Sequence, residues 1–413
     1  MFQSPPREKS WVSWLYVVIW SLFIFVTIPL ARMVQEFVRQ QWGRETFTHV
    51  VIVSILLGLV ASVFYLRKHR STFRGNTVWL LAVTGIFIGY TIKLGKVNPE
   101  ESIHFTQYGL LGILAFRALT HRLGDLSIYF AAALICGIVG ILDEVVQWIT
   151  PGRHWGLKDI WLNFFAASLV QVGIAKGLKP PIISGWPSRA NLRLVVRIAM
   201  VAVVLFGANL LNTPARISWY AEQIPWLAFL KENESMMLEY GYLYNDPGIG
   251  VFRSRLSPEE LKRSDQERGK EAADILDRFR ERDAYQFFLE IYTPVSDPFV
   301  HEARVHLFRR DRHFARSEKY KNDPEKYAEY LNTAFRENQI MEKYFPNTLR
   351  HSAYVWSSDK LALARTQLLR DEKYDSWVSR RLFTGIKERH LASFLAFLLG
   401  CLAILHWYLG REK

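Results

Sequence analysis

Cysteine is nearly absent from this chain of 413 residues, since Cys136 and Cys401 are the two it has and both lie inside apolar runs. A disulfide framework is therefore excluded for the polar parts of the chain. The chain also lacks a P-loop, a G-x-S-x-G turn and an H-E-x-x-H helix motif, so no familiar signature assigns a reaction. Zinc-finger spacing and RNP-like segments are missing too, which argues against nucleic-acid binding despite a formal net charge of +13.

The content of hydrophobic residues is high, at half of the chain. Hydrophobic residues make up 50% of the sequence and charged residues 22%, and the mean hydropathy is +0.02. These values are too high for an ordinary soluble protein and too low for a chain buried entirely in lipid. They predict a membrane domain joined to a sizeable polar domain. In such a protein, Lys and Arg orient the loops and meet anionic lipid, which accounts for the net positive charge.

Long apolar runs predict eight transmembrane helices and a mainly α polytopic bundle. The fourth is the weakest, because His104 and Arg117 bound its uncharged centre. The first follows Arg7 and Lys9, and its length predicts an uncleaved anchor rather than a signal peptide. The eight runs are residues 12–33, 49–66, 77–94, 102–120, 126–149, 159–176, 193–212 and 390–409.

Basic residues in the short loops predict the orientation. They favour one side by roughly two to one, which makes the N-terminus cytoplasmic if all eight runs cross. Residues 1–212 then form a membrane domain with seven spans. Residues 213–389 form an extracytoplasmic domain, and residues 390–413 form the last span and a short cytoplasmic tail.

Polar residues collect where the fifth span ends, the sixth begins and the fourth begins. Helical spacing aligns several of them on shared faces, and Pro151-Gly152 is expected to form the turn between spans five and six. Charged groups near lipid are costly unless they face one another or water, so we expect one outward-facing polar pocket. Its candidate members are Glu101, His104, Tyr108, Asp143, Glu144, Gln147, Arg153, Asp159 and Asn163.

Each member of this set also has an ordinary structural interpretation. Asp159 suits the N-terminus of a helix, where a carboxylate meets the positive end of the helix dipole. Asn163 and Gln147 suit interhelical hydrogen bonding. Three segments that gather complementary charges at one depth nevertheless favour a functional site over coincidence.

These residues carry a resemblance over about residues 80–176. "EESIHFTQYGLLG" followed by "GILDEVVQWITPGRHWGLKDIWLNFFAA" resembles the VanZ-like family of bacterial membrane proteins. The family pattern has an acidic residue, His and Tyr, then acidic-Glu-x-x-Gln, an Arg-containing turn and Asp-x-x-x-Asn. This chain departs from it with Glu101 where Asp is common and with Ala166 and Ala167 where Gly is common. The resemblance implies the cell envelope and low-level resistance to the lipid-tailed glycopeptide teicoplanin, without a settled reaction.

Three functions remain open for the pocket. An enzyme acting on a lipid-linked phosphate would clamp the phosphate with Arg153, hold a divalent cation with its carboxylates and exchange a proton through His104 or Glu101. A binding protein would hold the headgroup of a membrane lipid or lipid-linked envelope precursor unchanged. Proton-linked transport is the third, although the chain shows no inverted repeat. Trp148, Trp155 and Trp161 flank the same turn, as interfacial aromatic residues do.

Residues 213–389 predict an α+β domain. Its role stays open among docking a protein partner, binding the envelope and acting as an unrecognised catalytic module. They begin with "ISWYAEQIPWLAFL", an amphipathic segment. A helix is predicted from Ser257, two strands within 283–311 joined around 294–298, and helices again from Asp323 and after Ser358. "HEARVH" is too long for a zinc helix, so we predict no metal site at His301 and His306. The basic run 309–313 is expected to be a solvated turn.

Overall fold

The computed structural model describes residues 8–68, 73–96, 98–150, 153–232, 236–281, 283–366 and 374–411. The chain divides into two compact units. The first comprises residues 1–209 and 393–413, and the second comprises residues 210–392.

The first unit is built from α-helices. In chain order they are α1 (Ser10–Trp42), α2 (Thr46–Lys68), α3 (Phe73–Gly95), α4 (Ile103–Leu119), α5 (Ser127–Ile149), α6 (Leu157–Val172) and α7 (Arg189–Leu210). A 3₁₀ turn at Pro99–Ser102 leads into α4, and a π-helical segment at Gly173–Leu178 extends α6.

The second unit is also mainly helical. Its elements are α8 (Pro214–Gln223), a 3₁₀ helix (Pro225–Glu232), β1 (Tyr242–Asp246), β2 (Gly250–Ser254), α9 (Pro258–Arg278), α10 (Ala284–Ile291), α11 (Pro298–Lys319), α12 (Pro324–Tyr344), α13 (Pro346–His351) and α14 (Ser358–Thr366). The chain then returns to the first unit with α15 (Glu388–Gly410).

Within the described residues, seven helices are long and apolar enough to cross a membrane. They are α1, α2, α3, α5, α6 with its π-helical extension, α7 and α15. These helices confirm the prediction of a mainly α, polytopic bundle. Helices suit this environment because they satisfy their own backbone hydrogen-bonding groups in lipid. The remaining predicted span is α4, which has 17 residues and is about 26 Å long.

Helix α4 runs through the middle of the first unit. Tyr108, Leu111 and Phe116 on this helix are fully buried. A Cβ added at Gly112 would lie 3.5 Å from the Ala167 carbonyl of α6, so glycine permits the close approach of these two helices. The Gln171 amide of α6 also donates to the Gly112 carbonyl at 2.9 Å. Because α4 is enclosed by other helices, it needs less length and hydrophobicity than a helix exposed to lipid.

Contacts at the ends of α4 fix its direction. Glu8 and Arg117 form an ion pair at 2.7 Å, which joins the start of α1 to the end of α4. Further along, the Trp20 indole N–H donates to the Gln107 carbonyl at 2.9 Å. Helices α1 and α4 are therefore antiparallel, and α4 extends along the bundle between its two ends.

The remaining contacts define two ends of the first unit. Asp125, just before α5, accepts a hydrogen bond from Asn191 at the start of α7. At the other end, the Trp155 indole donates to Asn209, near the end of α7, at 3.0 Å. We call the end with Glu8, Arg117 and Asp125 the N-terminal face, and the end with Trp155 and Asn209 the pocket face. Residue 209 is thus on the face opposite the start of α1.

A hairpin and a helical core organise the second unit. Strands β1 and β2 are antiparallel, with Tyr242 opposite Ser254. Phe252 of β2 packs in a core with Leu276, Phe299 and Phe345 of the surrounding helices. This hairpin was not predicted from the sequence. It accounts for all the strand residues among the described part of this unit.

The predicted strands within 283–311 are wrong, because the structure has α10 and α11 there. Pro298 occupies the first turn of α11, and the Asp297 side chain accepts from the Val300 N–H at 3.2 Å. The buried Phe299, Ala303 and Leu307 recur every four residues, a helical repeat that outweighs the aromatic and β-branched composition.

Two other predictions for this unit have clear outcomes. The helix that starts at Ser257 is confirmed, with a capping box between Ser257 and Glu260. The basic run 309–313 is not a solvated turn. It lies in α11, where Arg310 is 1% exposed and donates to Asn338 at 2.9 Å.

Candidate functional site

The predicted polar residues meet at the pocket face of the first unit. The end of α5 supplies Asp143, Glu144 and Gln147, and the start of α6 supplies Asp159 and Asn163. The start of α4 supplies His104 and Tyr108, the preceding 3₁₀ turn supplies Glu101, and Arg153 lies between α5 and α6. The Pro151-Gly152 turn lies outside the described residues.

Asp143 occupies the buried base of this cluster. One of its oxygens, Oδ2, accepts from the Tyr108 hydroxyl at 3.1 Å and from the Asn163 amide at 3.4 Å. All three residues are at most 1% exposed. A Cβ at Gly140, one turn before Asp143, would lie 3.1 Å from the Asn163 Cβ, so glycine lets α6 bring Asn163 to this depth. These contacts tie α4, α5 and α6 together.

Glu144 joins the end of α5 to the start of α6. Its Oε1 accepts from the Gln147 amide at 2.7 Å, and its Oε2 accepts from the Gly156 backbone N–H at 2.7 Å. Gln147 in turn accepts from Arg153 at 3.3 Å. Glu144 is fully buried, so these donors hold its carboxylate in one position.

The rim of the cluster is more exposed and carries an ion pair. Glu101 accepts from Lys158 at 2.9 Å and from the Asn98 amide at 2.6 Å. Asp159 lies in the first turn of α6, but Gly156 is the N-cap and has no side chain to cap the helix. Asp159 therefore acts on this helix end through its charge rather than as the capping residue.

His104 lies between the base and the rim. Its ring stacks on Tyr108 with centroids 6.2 Å apart, and the charges of Asp143 and Arg153 act on it. The spacing of Glu101, His104 and Tyr108 predicts that they lie along one side of the helix. In the structure they follow one another from the rim to the base of the cluster, as acid, imidazole and phenol.

Several polar atoms of this cluster are buried without a hydrogen-bond partner among the described residues. They are His104 Nδ1, Asp143 Oδ1, Arg153 Nε, Asp159 Oδ1 and Asn163 Oδ1. Buried polar atoms are normally paired, because leaving one unpaired costs about 1–3 kcal/mol. These five atoms leave hydrogen-bonding capacity in one cluster that the described residues do not use.

The divalent-cation site considered from the sequence stays a hypothesis. Among the described residues, no group of three or more His, Cys, Asp or Glu side chains is arranged to hold a metal ion. Asp143 and Glu144 instead use oxygens to accept hydrogen bonds from protein donors, as described above.

The three tryptophans near the turn differ in their surroundings. Trp148 is 4% exposed and Trp155 is 9% exposed, so both belong to the packed interior of the first unit. Trp161 is 59% exposed and is placed as an interfacial aromatic residue.

Sequence reasoning missed two donors in the cluster. The Gly156 N–H is a backbone group, so no residue type announces it, although a glycine just before a helix is a weak signal for a special backbone role. Lys158 looks in the sequence like an ordinary exposed lysine at the membrane interface. Its ion pair with Glu101 depends on the relative positions of α4 and α6, which the sequence does not specify.

The H-E-x-x-x-H segment of the second unit also has a structural account. His301 Nδ1 lies 2.7 Å from the Tyr292 carbonyl, and His306 Nδ1 lies 2.7 Å from Glu337. Burial lowers the pKa of His301 to about 4. The pKa of Glu302 is raised, chiefly by burial, although the Arg255 charge opposes the shift. The two histidines therefore have different partners.

No protein-family model, curated protein or solved structure matches this chain in the comparisons made.

Proposed function

We propose that this chain is a VanZ-like membrane protein of the bacterial cell envelope. In this proposal the pocket binds or modifies the headgroup of a lipid-linked or lipid-tailed envelope molecule, with a consequence for glycopeptide resistance. The observation that carries it is the set of five unpaired buried polar atoms contributed by α4, α5, α6 and the α5–α6 connection.

The chemistry of these atoms suggests the headgroup. The Arg153 Nε–H donates, and Arg153 carries a positive charge that suits a phosphate. Asp143 Oδ1 and Asp159 Oδ1 accept, so they suit hydroxyl or amide N–H groups of the ligand. A sugar or peptide group next to a phosphate offers both kinds of partner. Lipid-linked envelope precursors combine such groups with an apolar tail that stays in the bilayer.

The proposed side is the outer leaflet, with residues 213–389 extracytoplasmic. Basic residues favour the N-terminal face, which the positive-inside rule places in the cytoplasm. Asn209 lies on the pocket face, opposite the start of α1. A phosphatase reporter fused after Asn212 tests this orientation in living cells. Activity of the reporter outside the cytoplasm is expected, and activity of a cytoplasmic reporter at the same position would reverse the proposal.

Paired substitutions test the pocket. We expect Glu144→Gln and Arg153→Ala to change envelope-lipid composition or teicoplanin sensitivity. Glu36→Gln and Arg39→Ala are matched controls, because these residues form an exposed ion pair at 3.2 Å near the end of α1. All four variants are compared at equal membrane abundance. If the pocket variants behave like the controls, the pocket is structural.

Binding and modification are separated with purified full-length protein. Retention of a lipid-linked sugar pyrophosphate without turnover supports binding, whereas release of phosphate or a shortened headgroup identifies an enzyme. The fixed hydrogen bonds of Glu144 favour binding, because both of its oxygens already accept from protein donors. Proton flux in vesicles that depends on His104 would instead support the transport alternative.

For residues 213–389 the proposal is a scaffold role, in which their surface docks an envelope protein. Trp219 and Trp226 are 66% and 76% exposed, which is unusual for large aromatic side chains in water. Crosslinking of the full chain through a photoreactive residue at position 226 tests docking. A reproducible protein adduct supports a partner, and adducts to lipid alone favour a membrane-surface role.

A further inference from the structure

A second candidate site lies on the N-terminal face of the first unit, at the opposite end from the pocket. A cavity of about 610 Å³ opens between the start of α7 and the end of α15. Its polar lining is made of arginine side chains. They are Arg122, Arg189, Arg193, Arg197 and Arg411.

No acidic residue lines this cavity among the described residues. Asp125 is the acid nearest in sequence to Arg122, and it accepts from the Ser127 and Ser188 N–H groups and from the Asn191 amide. Its oxygens are thus already paired at the N-terminal face. Five guanidinium groups without a lining carboxylate repel one another, so an anion is the ligand that the cavity favours.

His406 of α15 organises two of the arginines. Its Nε2 accepts from the Nε–H of Arg193 at 3.1 Å and from the Nε–H of Arg197 at 2.9 Å. Because Nε2 accepts both bonds, this ring is neutral and carries its proton on Nδ1. Each of these bonds uses Nε, so the forked terminal nitrogens remain the groups that suit a phosphate.

The surroundings of the cavity place it at a membrane interface. Arg411 lies over the Trp407 ring at 3.5 Å from its centroid, and Arg189 lies over the Tyr408 ring at 5.7 Å. Both aromatic side chains are more than half exposed. Arg197 is two turns inside α7, a position where arginine normally extends towards the headgroups. Most residues of α7 and α15 are not buried by protein, so lipid reaches both helices.

We propose that this cavity binds the phosphate headgroup of an anionic phospholipid. The guanidinium groups pair with the phosphate, while the exposed apolar sides of α7 and α15 contact the acyl chains. A soluble phosphate offers the same charge but nothing for these apolar sides, which is why the structure favours a lipid. This site is independent of the proposed pocket function, because it uses other residues at the other end of the bundle.

Native mass spectrometry of the full chain in a neutral detergent tests the proposal. The protein is titrated with phosphatidylglycerol or with phosphatidylcholine of the same acyl chains. The double variant Arg193→Gln/Arg197→Gln is compared with Lys176→Gln/Lys179→Gln, which removes the same charge from exposed residues outside the cavity. A third variant, Arg193→Lys/Arg197→Lys, keeps the charge and removes the guanidinium fork. Thermal unfolding shows whether each variant is folded.

The wild-type chain is expected to retain phosphatidylglycerol in preference to phosphatidylcholine. Arg193→Gln/Arg197→Gln should lose about tenfold more affinity for phosphatidylglycerol than the control Lys176→Gln/Lys179→Gln, because paired charge-assisted bonds are stronger than diffuse attraction. The affinity of Arg193→Lys/Arg197→Lys should lie between the affinities of these two variants. Equal losses in both charge-removing variants, or no preference for the anionic lipid, would overturn the proposal. Displacement of the lipid by millimolar inorganic phosphate would reassign the cavity to a soluble anion and also overturn it.

Discussion

Removing the charge of Glu337 should strongly destabilise the second unit. This residue of α12 is fully buried and accepts from four side chains. His306 is 2.7 Å from Oε2, while Arg309 at 3.1 Å and Ser376 at 2.7 Å donate to Oε1, which also accepts from the Tyr374 hydroxyl. The four partners come from α11 and from the segment after α14, so one carboxylate connects distant parts of the chain.

The substitution Glu337→Gln keeps the size of the side chain and isolates the charge. The amide nitrogen would face either Arg309 or His306. His306 Nε2 is already buried without a partner among the described residues, so this imidazole has no second hydrogen bond to compensate for a weaker one at Nδ1. Arg309 would also lose its buried counter-charge. Breaking a buried charged pair by changing one partner costs about 3–5 kcal/mol, and we expect a loss in this range.

Proteolysis of the full chain in detergent at rising urea measures this loss. Cleavage within residues 210–392 reports unfolding of the second unit. A loss of this size lowers the urea midpoint by about 2 M, for a slope of about 2 kcal/mol per M. The control Glu329→Gln makes the same change at an exposed position on α12 and should shift the midpoint little. If the two variants have the same midpoint, the carboxylate network does not stabilise this unit.

Acid provides a second check of the same network. Burial alone would raise the pKa of Glu337, but the charge of His306 and the hydrogen bonds from its partners lower the pKa below its ordinary value. A lowered carboxyl pKa contributes stability that is complete above about pH 4.3 and is lost as the pH falls through the folded-state pKa. The stability difference between the wild-type chain and Glu337→Gln should therefore narrow below about pH 4.

Three further predictions concern other parts of the chain. Gly156→Ala places a Cβ against the Asp159 carboxylate, so headgroup retention should fall several-fold while thermal unfolding in detergent changes little. Trp155→Phe removes the 3.0 Å hydrogen bond to Asn209 and should cost about 1–2 kcal/mol in the same unfolding measurement. Because burial lowers the pKa of His301 to about 4, stability of the second unit should fall by up to about 3 kcal/mol between pH 6.5 and pH 4, and less in His301→Gln.

The membrane bundle was predictable from the sequence because lipid imposes a simple rule. A segment that crosses the bilayer has to be helical and mostly apolar, and seven helices meet that rule among the described residues. Helix α4 shows where the rule weakens. It is buried by protein, so its composition is free to include His104 and Arg117, and its direction became clear from the Glu8 and Trp20 contacts.

The meeting of the polar residues was predictable from helical spacing and from the order of the spans. Their individual partners were not. Glu144 is held by the Gly156 backbone, and a backbone donor leaves no mark in residue type. Which Asp143 oxygen is paired depends on distances of tenths of an ångström between helices, which periodicity does not specify. The pattern therefore predicts the members of the cluster and leaves their pairing open.

The second unit shows the opposite balance. Residues 283–311 contain aromatic and β-branched side chains, and this composition led to a prediction of strands where α10 and α11 lie. Pro294 and Pro298 lie between the 8-residue α10 and the 22-residue α11, so in the sequence the two helices look like separate strands around a turn. The hairpin at 242–254 was missed although its sequence carries a turn signal, Asp246-Pro247-Gly248, between two short aromatic-containing runs. Gly250, where β2 begins, has φ of +125°, a conformation that favours glycine.

The two ends of the first unit differ in a way that bears on both proposals. At the pocket face, carboxylates already accept from protein donors, and the unpaired atoms include both donors and acceptors. At the N-terminal face, the cavity is lined by arginines without a lining acid. A mixed set suits a headgroup with several polar functions, whereas a cationic set suits a simple phosphate. Since α4 and α7 separate the two sites by the length of a helix, substitutions at one should leave binding at the other unchanged.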